Sequence, residues 1–89
     1  MLYLKVLWKS KEENHPSTIY TEIDADGWES RKVEKFRDGH KTFADLSTST
    51  GSTMLADQKV DSRKIQNSSN LEVLEISAAE FEQAWESRQ

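Results

Sequence analysis

Trp28-Glu29-Ser30-Arg31-Lys32-Val33-Glu34-Lys35-Phe36, followed by Arg37-Asp38-Gly39-His40 and Lys41-Thr42-Phe43-Ala44-Asp45-Leu46, is the segment with two incompatible conformations. Trp28, Val33 and Phe36 fit a helical stripe. They also fit strand positions interrupted by a bulge. Asp38-Gly39 favours the strand, because Asp-Gly supplies the positive φ that a hairpin turn needs. Residues 28–36 are therefore expected to be a strand, with residues 41–46 returning antiparallel.

Working outward, residues 18–24 read as the preceding strand. Ile19, Thr21 and Ile23 share one face, and Tyr20, Glu22 and Asp24 share the other. Asp24-Ala25-Asp26-Gly27 joins the two strands, with Gly27 free to take positive φ. Residues 2–9 alternate at period two: Leu2, Leu4, Val6 and Trp8 against Tyr3, Lys5, Leu7 and Lys9. One face is expected to be buried and the other partly covered. Residues 10–17 form a polar connection containing the only proline, Pro16.

After the hairpin, residues 47–53 are six hydroxyl residues and a glycine, a loop by composition. A plain loop reaching residue 70 would be longer than about 12–15 residues, so local structure is expected inside it. A short helix over Asp61–Gln66 fits, with Asp61 as its cap. Residues 71–77 read as the last strand. Ser77-Ala78-Ala79-Glu80 has capping-box spacing, and the helix it starts is expected to run to about Arg88. Ala78, Phe81 and Trp85 line one stripe that should dock on the sheet, leaving Glu82 and Glu86 outside. The expected fold is α+β: one domain over residues 1–89, an antiparallel sheet of about five strands, the C-terminal helix packed on one face and a short helix after the Ser/Thr-rich loop.

Composition narrows the function. The chain has 89 residues, with Lys plus Arg at 12 against Asp plus Glu at 16, hence a net charge of −4. Its pI is about 5.1. An acidic balance argues against general nucleic-acid binding, which relies on basic surface to release counterions. Without cysteine there is no disulfide, thiolate or Cys-based zinc site. No stretch reaches the ~18 apolar residues of a membrane helix. Met1–Lys5 lacks a basic segment leading into an apolar one, so a cytoplasmic location is expected. Leu, Ile, Val and Phe are about a fifth of the residues, near the ~20% composition that borders on disorder. The small net charge and eight aromatic residues favour folding.

Signals for chemistry are sparse. His15 and His40 both fall in polar turns, without a ligand partner at metal spacing. No cofactor is expected. Gly39-His40-Lys41-Thr42 resembles the tail of a phosphate loop, but Glu34 stands where the leading glycine belongs. Arg31, Lys32, Lys35, Arg37 and Lys41 form a basic cluster, interrupted by Glu29, Glu34 and Asp38. On strands such alternation makes cross-strand ion pairs. The acidic side is more coherent: Glu72, Glu75, Glu80, Glu82 and Glu86 lie between Ile65 and Ser87 with no base among them. Asp24, Asp26 and Glu29 form a second group. Solubility explains such groups, and so does a face for a basic protein.

The motifs Tyr3-x-x-Val6-x-Trp8-Lys9, Ile19-Tyr20-x-Glu22-Ile23-Asp24, Trp28-Glu29-x-Arg31-Lys32-Val33-Glu34-x-Phe36-x-Asp38-Gly39, Ala44-Asp45 and Ile76-Ser77-x-x-Glu80-Phe81-Glu82-x-x-Trp85 together resemble a family of small bacterial proteins classed as a domain of unknown function. Families of that type look like immunity proteins of toxin–immunity systems, including contact-dependent inhibition. Nothing in the resemblance demands an enzyme, and none is expected. It implies a domain that neutralises a toxin by direct contact, most simply as a 1:1 heterodimer. The partner would be a basic protein such as a nuclease, with no nucleic acid or membrane as ligand. Asp24, Asp26, Glu29, Glu82 and Glu86 are the expected exposed contacts, with Trp28 as aromatic anchor. Trp8, Val33, Phe36, Phe81 and Trp85 are expected in the core, and Glu22, Arg31, Lys32 and Glu34 as a cross-strand charge ladder. Two alternatives are a ribonuclease-like hydrolase using His40 with Glu29 or Glu34, and a self-associating accessory domain pairing through a sheet edge.

Overall fold

The computed structural model describes residues 1–9, 15–49, 53, 55 and 71–88. Its elements are β1 (Leu2–Trp8), β2 (Thr18–Ile23), β3 (Glu29–Lys35), β4 (Lys41–Asp45), β5 (Leu71–Glu75) and α1 (Ala78–Glu86). The strands form one five-stranded sheet in the order β4-β3-β2-β1-β5. Every neighbouring pair is antiparallel. The ambiguous central segment is strand, and the α+β expectation holds. The short helix expected over Asp61–Gln66 lies outside the described residues.

The two turns flanking β3 share one design. Asp24 N–H donates to Trp28 O at 2.8 Å and Gly27 N–H to Asp24 O at 3.0 Å. In the next turn Phe36 N–H donates to His40 O and Gly39 N–H to Phe36 O, both at 3.0 Å. Gly27 and Gly39 both have φ of 93°. These are three-residue hairpin loops in which glycine takes the left-handed position. Asp24 reinforces the first, its Oδ1 accepting from Asp26 N–H and Trp28 N–H at 2.9 Å each. Asp38 does the same in the second, accepting from His40 N–H at 2.9 Å. That contact, more than any other, holds the Asp38 carboxyl below its ordinary pKa.

Register decides which side chains meet. Tyr3, Glu22 and Arg31 are aligned across β1, β2 and β3, as are Lys5, Tyr20 and Val33. This face receives α1. The opposite face carries Leu4, Thr21, Lys32 and Ala44. Between Glu22 and Ile23 the register shifts: Glu22 pairs with Arg31, but Ile23 pairs with Glu29. Ser30 is the extra residue of a β-bulge. The bulge turns Glu29 onto the face away from the helix, opposite to the side that simple alternation with Arg31 assigns it.

Ser77 caps α1, with its side chain accepting from Glu80 N–H at 3.2 Å. Ile76 N–H donates to Tyr3 O at 2.9 Å, fixing the entry to the helix. Phe81 is fully buried, its ring centroid 5.3 Å from that of Tyr3. Trp85 meets Phe43 edge-on at 5.8 Å. Of the expected core, Val33, Phe36 and Phe81 are buried, whereas Trp8 and Trp85 are only half-buried. Leu4, Ile23 and Ala44 complete the buried apolar set on the other face, beside the buried Thr21 and Thr53.

Truncating Phe81 to alanine is expected to cost about 3–5 kcal/mol of unfolding free energy. Ser77→Ala should cost about 1 kcal/mol, the typical value of a lost N-cap. Urea denaturation of both variants checks the order.

Candidate functional site

Helix and sheet are tied together at Arg31. Its Nε donates to Glu22 Oε1 at 2.8 Å and its Nη2 to Glu22 Oε2 at 2.6 Å. From the helix, Glu82 accepts from Nη1 at 3.2 Å and from Nη2 at 2.5 Å. The guanidinium lies 4.9 Å from the Phe81 ring centroid and 5.2 Å from that of Trp85. Ser30 Oγ donates to Glu22 Oε1 at 2.7 Å. The bulge makes this possible, because it places Ser30 and Arg31 both within reach of one carboxylate. Glu22 is buried, with its side chain 6% exposed, whereas Glu82 is 43% exposed.

These contacts set the local titration. Hydrogen bonding to Arg31 pulls Glu22 down to about 2, overcoming the opposing effect of burial. Hydrogen bonding to the same guanidinium lowers Glu82. Burial, then the hydrogen bond to Glu22, raises the Tyr3 phenol. Arg31 itself is raised, first by Glu22 and then by Glu82.

The expected charge ladder splits between the faces. Glu22 and Arg31 pair on the helix face. On the other, Lys32 meets Glu29 at 3.0 Å, and Glu29 accepts from Thr21 Oγ1 at 2.8 Å. Glu34 accepts there from Thr53 Oγ1 at 2.6 Å, and Thr53 also bonds the Thr42 hydroxyl. Thr53 is fully buried. It comes from the hydroxyl-rich stretch read as loop, and nothing in that composition marks one threonine as core.

The expected contact residues differ in exposure and in what holds them. Glu29, expected exposed, is 8% exposed and paired; the bulge at Ser30 is the reason. Glu82 is held by Arg31. Asp24 is half-buried and occupied with its turn. Asp26 and Glu86 are exposed, and Trp28 is 40% exposed at the end of the β2–β3 turn. Glu72, Glu75 and Glu80 are exposed as well.

No hydrogen bond or ion pair joins His40 to Glu29 or Glu34 among the described residues. His40 stacks on Phe36 with centroids 4.3 Å apart, and its Nδ1 pairs with Asp38. Glu29 lies at the other end of β3, about 20 Å along a strand of seven residues. Glu34 is engaged by Thr53. Among the described residues, no group of three or more His, Cys, Asp or Glu side chains is placed to hold a metal ion, and no helix is long and apolar enough to cross a membrane.

The sheet edges are β4 and β5. Part of the β4 edge is met by an Ala44–Ser49 bridge. Asp45 Oδ1 holds that segment, accepting from Ser47 N–H at 2.9 Å and Thr48 N–H at 2.7 Å. On β5 two of five residues are exposed glutamates, which disfavours pairing with another edge.

Arg31→Met keeps the stacking volume but strands the Glu22 charge, and should cost about 3 kcal/mol. Glu82→Gln, at a half-exposed site, should cost under about 1 kcal/mol. The Glu22 carboxylate, low when folded against 4.5 ordinarily, contributes stability that is fully present above about pH 4.5 and lost as pH falls toward 2. Glu22→Gln should flatten that part of the stability–pH curve in denaturant titrations.

Searches of curated proteins and of solved structures returned no match. The model of a domain of unknown function, DUF6881, matches residues 2–89. That span takes in every strand and the helix bearing the Arg31 cluster, and the chain belongs to this family.

Proposed function

We propose that the domain is a non-catalytic binding module for a basic protein, acting as an immunity protein that neutralises a bacterial toxin domain by direct contact. The observation that carries this reading is the set of exposed acids on β5 and α1, with Glu72 on the sheet face that receives the helix and Glu75 on the opposite face. Glu72, Glu75, Glu80 and Glu86 are exposed along two consecutive elements. Among the described residues, no ion pair engages them. Uncompensated charge of one sign speeds encounter with a surface of the other sign and selects the partner.

A nuclease toxin suits such charge, because its nucleic-acid groove is basic and carboxylates can occupy phosphate positions. Trp28, with Asp26 beside it, supplies an exposed aromatic anchor of the kind that dominates interface energetics. Glu82 contributes indirectly, since its bond to Arg31 fixes the helix that presents Glu80 and Glu86. A 1:1 complex in the cytoplasm is the simplest arrangement.

The test is co-expression with the product of the adjacent upstream gene. Rescue of growth and a co-purifying complex are expected. Glu80→Lys with Glu86→Lys should slow association by about tenfold and flatten its salt dependence, with little change in stability. No complex, or an association rate indifferent to both substitutions, contradicts the proposal. So does turnover of RNA by the isolated domain.

A further inference from the structure

The groove between α1 and the β2–β4 part of the sheet has features that protein docking does not explain. It is an open groove of about 670 Å³, lined at its base by Val33, which is 1% exposed. That volume lies within the usual ~300–1,000 Å³ of small-molecule sites. At one end Lys35 and Lys41 stand directly opposite each other across β3 and β4. Both point to the helix face and line the groove. Directly opposed residues have Cβ atoms about 5 Å apart, and like charges so placed destabilise the sheet. Lys41 Nζ donates to Ser87 O at 2.9 Å, and no carboxylate among the described residues bridges the pair. An acidic chain has left two lysines facing each other over a cavity. An anion seated between them would remove the repulsion.

The other end differs in character. Ser77 and Glu80 line it at the start of α1. From Ser77 to Ser87 the helix advances about 15 Å, so the groove has a cationic end and an acceptor end that far apart. Tyr20, Val33 and Ala84 lie along the stretch between, with Gln83 offering both a donor and an acceptor.

We infer that this groove binds a nucleotide-sized phosphorylated ligand, with the phosphate between Lys35 and Lys41 and an amino-bearing base directed to Glu80 and Ser77. The length, the polarity and the two charged ends fit a nucleoside monophosphate with an exocyclic amine. Inorganic phosphate satisfies the lysine end alone. A nucleoside without phosphate satisfies the other end alone. Glu80 belongs to both readings, so the lysine variants below, which leave Glu80 in place, separate failure of this inference from failure of the proposed function.

The test is calorimetric and amide-NMR titration of the full chain with AMP, inorganic phosphate and adenosine. Saturable AMP binding is expected, with shifts at Lys35, Lys41 and Gln83. Phosphate should bind at the same lysines more weakly, and adenosine should not saturate. Lys35→Gln with Lys41→Gln should weaken AMP by about tenfold or more, while Lys35→Gln alone, which keeps the Lys41–Ser87 bond, should weaken AMP and leave thermal stability level or raised as the repulsion is removed. Absence of saturable AMP binding overturns the inference. So does undiminished affinity in the double variant, or phosphate binding as tight as AMP, which would mean an anion subsite only.

Discussion

A single guanidinium holds the two layers of this domain in register. Arg31 bonds Glu22 on the neighbouring strand and Glu82 on the helix, and stacks near Phe81 and Trp85. A nine-residue helix is too short to persist alone. It needs the sheet, and its buried apolar contribution is centred on Phe81. Hydrophobic contact is non-directional; a bidentate ion pair is not. The guanidinium therefore sets the rotation of α1, and the rotation sets which glutamates face outward.

The bulge at Ser30 is what allows the arrangement. Without it, Glu29 would share a face with Arg31 and compete with Glu22 for the same cation. With it, Glu29 moves to the other face, pairs with Lys32 and accepts from Thr21. Two separate polar clusters result, one on each side of the sheet. Each is internally bonded, as buried charge requires. The groove lysines and the exposed Glu72, Glu75, Glu80 and Glu86 lie outside both clusters, so their charges remain available to ligands.

Much of this architecture was legible in the residues. Period-two alternation located β1 and β2, Gly27 and Gly39 located the turns, and Ser77 with Glu80 located the start of α1. These signals are local, so they can be read without knowing the fold. The cross-sheet contacts are not local. Glu22 and Arg31 were identifiable as a ladder pair, but Glu82, 51 residues further on, looked like an exposed acid on a helix. Glu29 was misplaced because a bulge inverts facing and leaves no mark in composition. Thr53 was missed because its burial depends on Glu34 and Thr42, distant in sequence. The Lys35–Lys41 pair read as part of a solvated basic run until the register set the two side by side over a cavity.

The guanidinium's hold on the helix is tested most directly by a double-mutant cycle between Arg31→Met and Glu82→Gln, read by urea denaturation at neutral pH. A coupling energy of about 0.5–1 kcal/mol between strand and helix is predicted for this half-exposed pair. A coupling indistinguishable from zero would mean that α1 is seated by apolar contact alone, with Arg31 serving only its neighbouring strand, and would contradict the account.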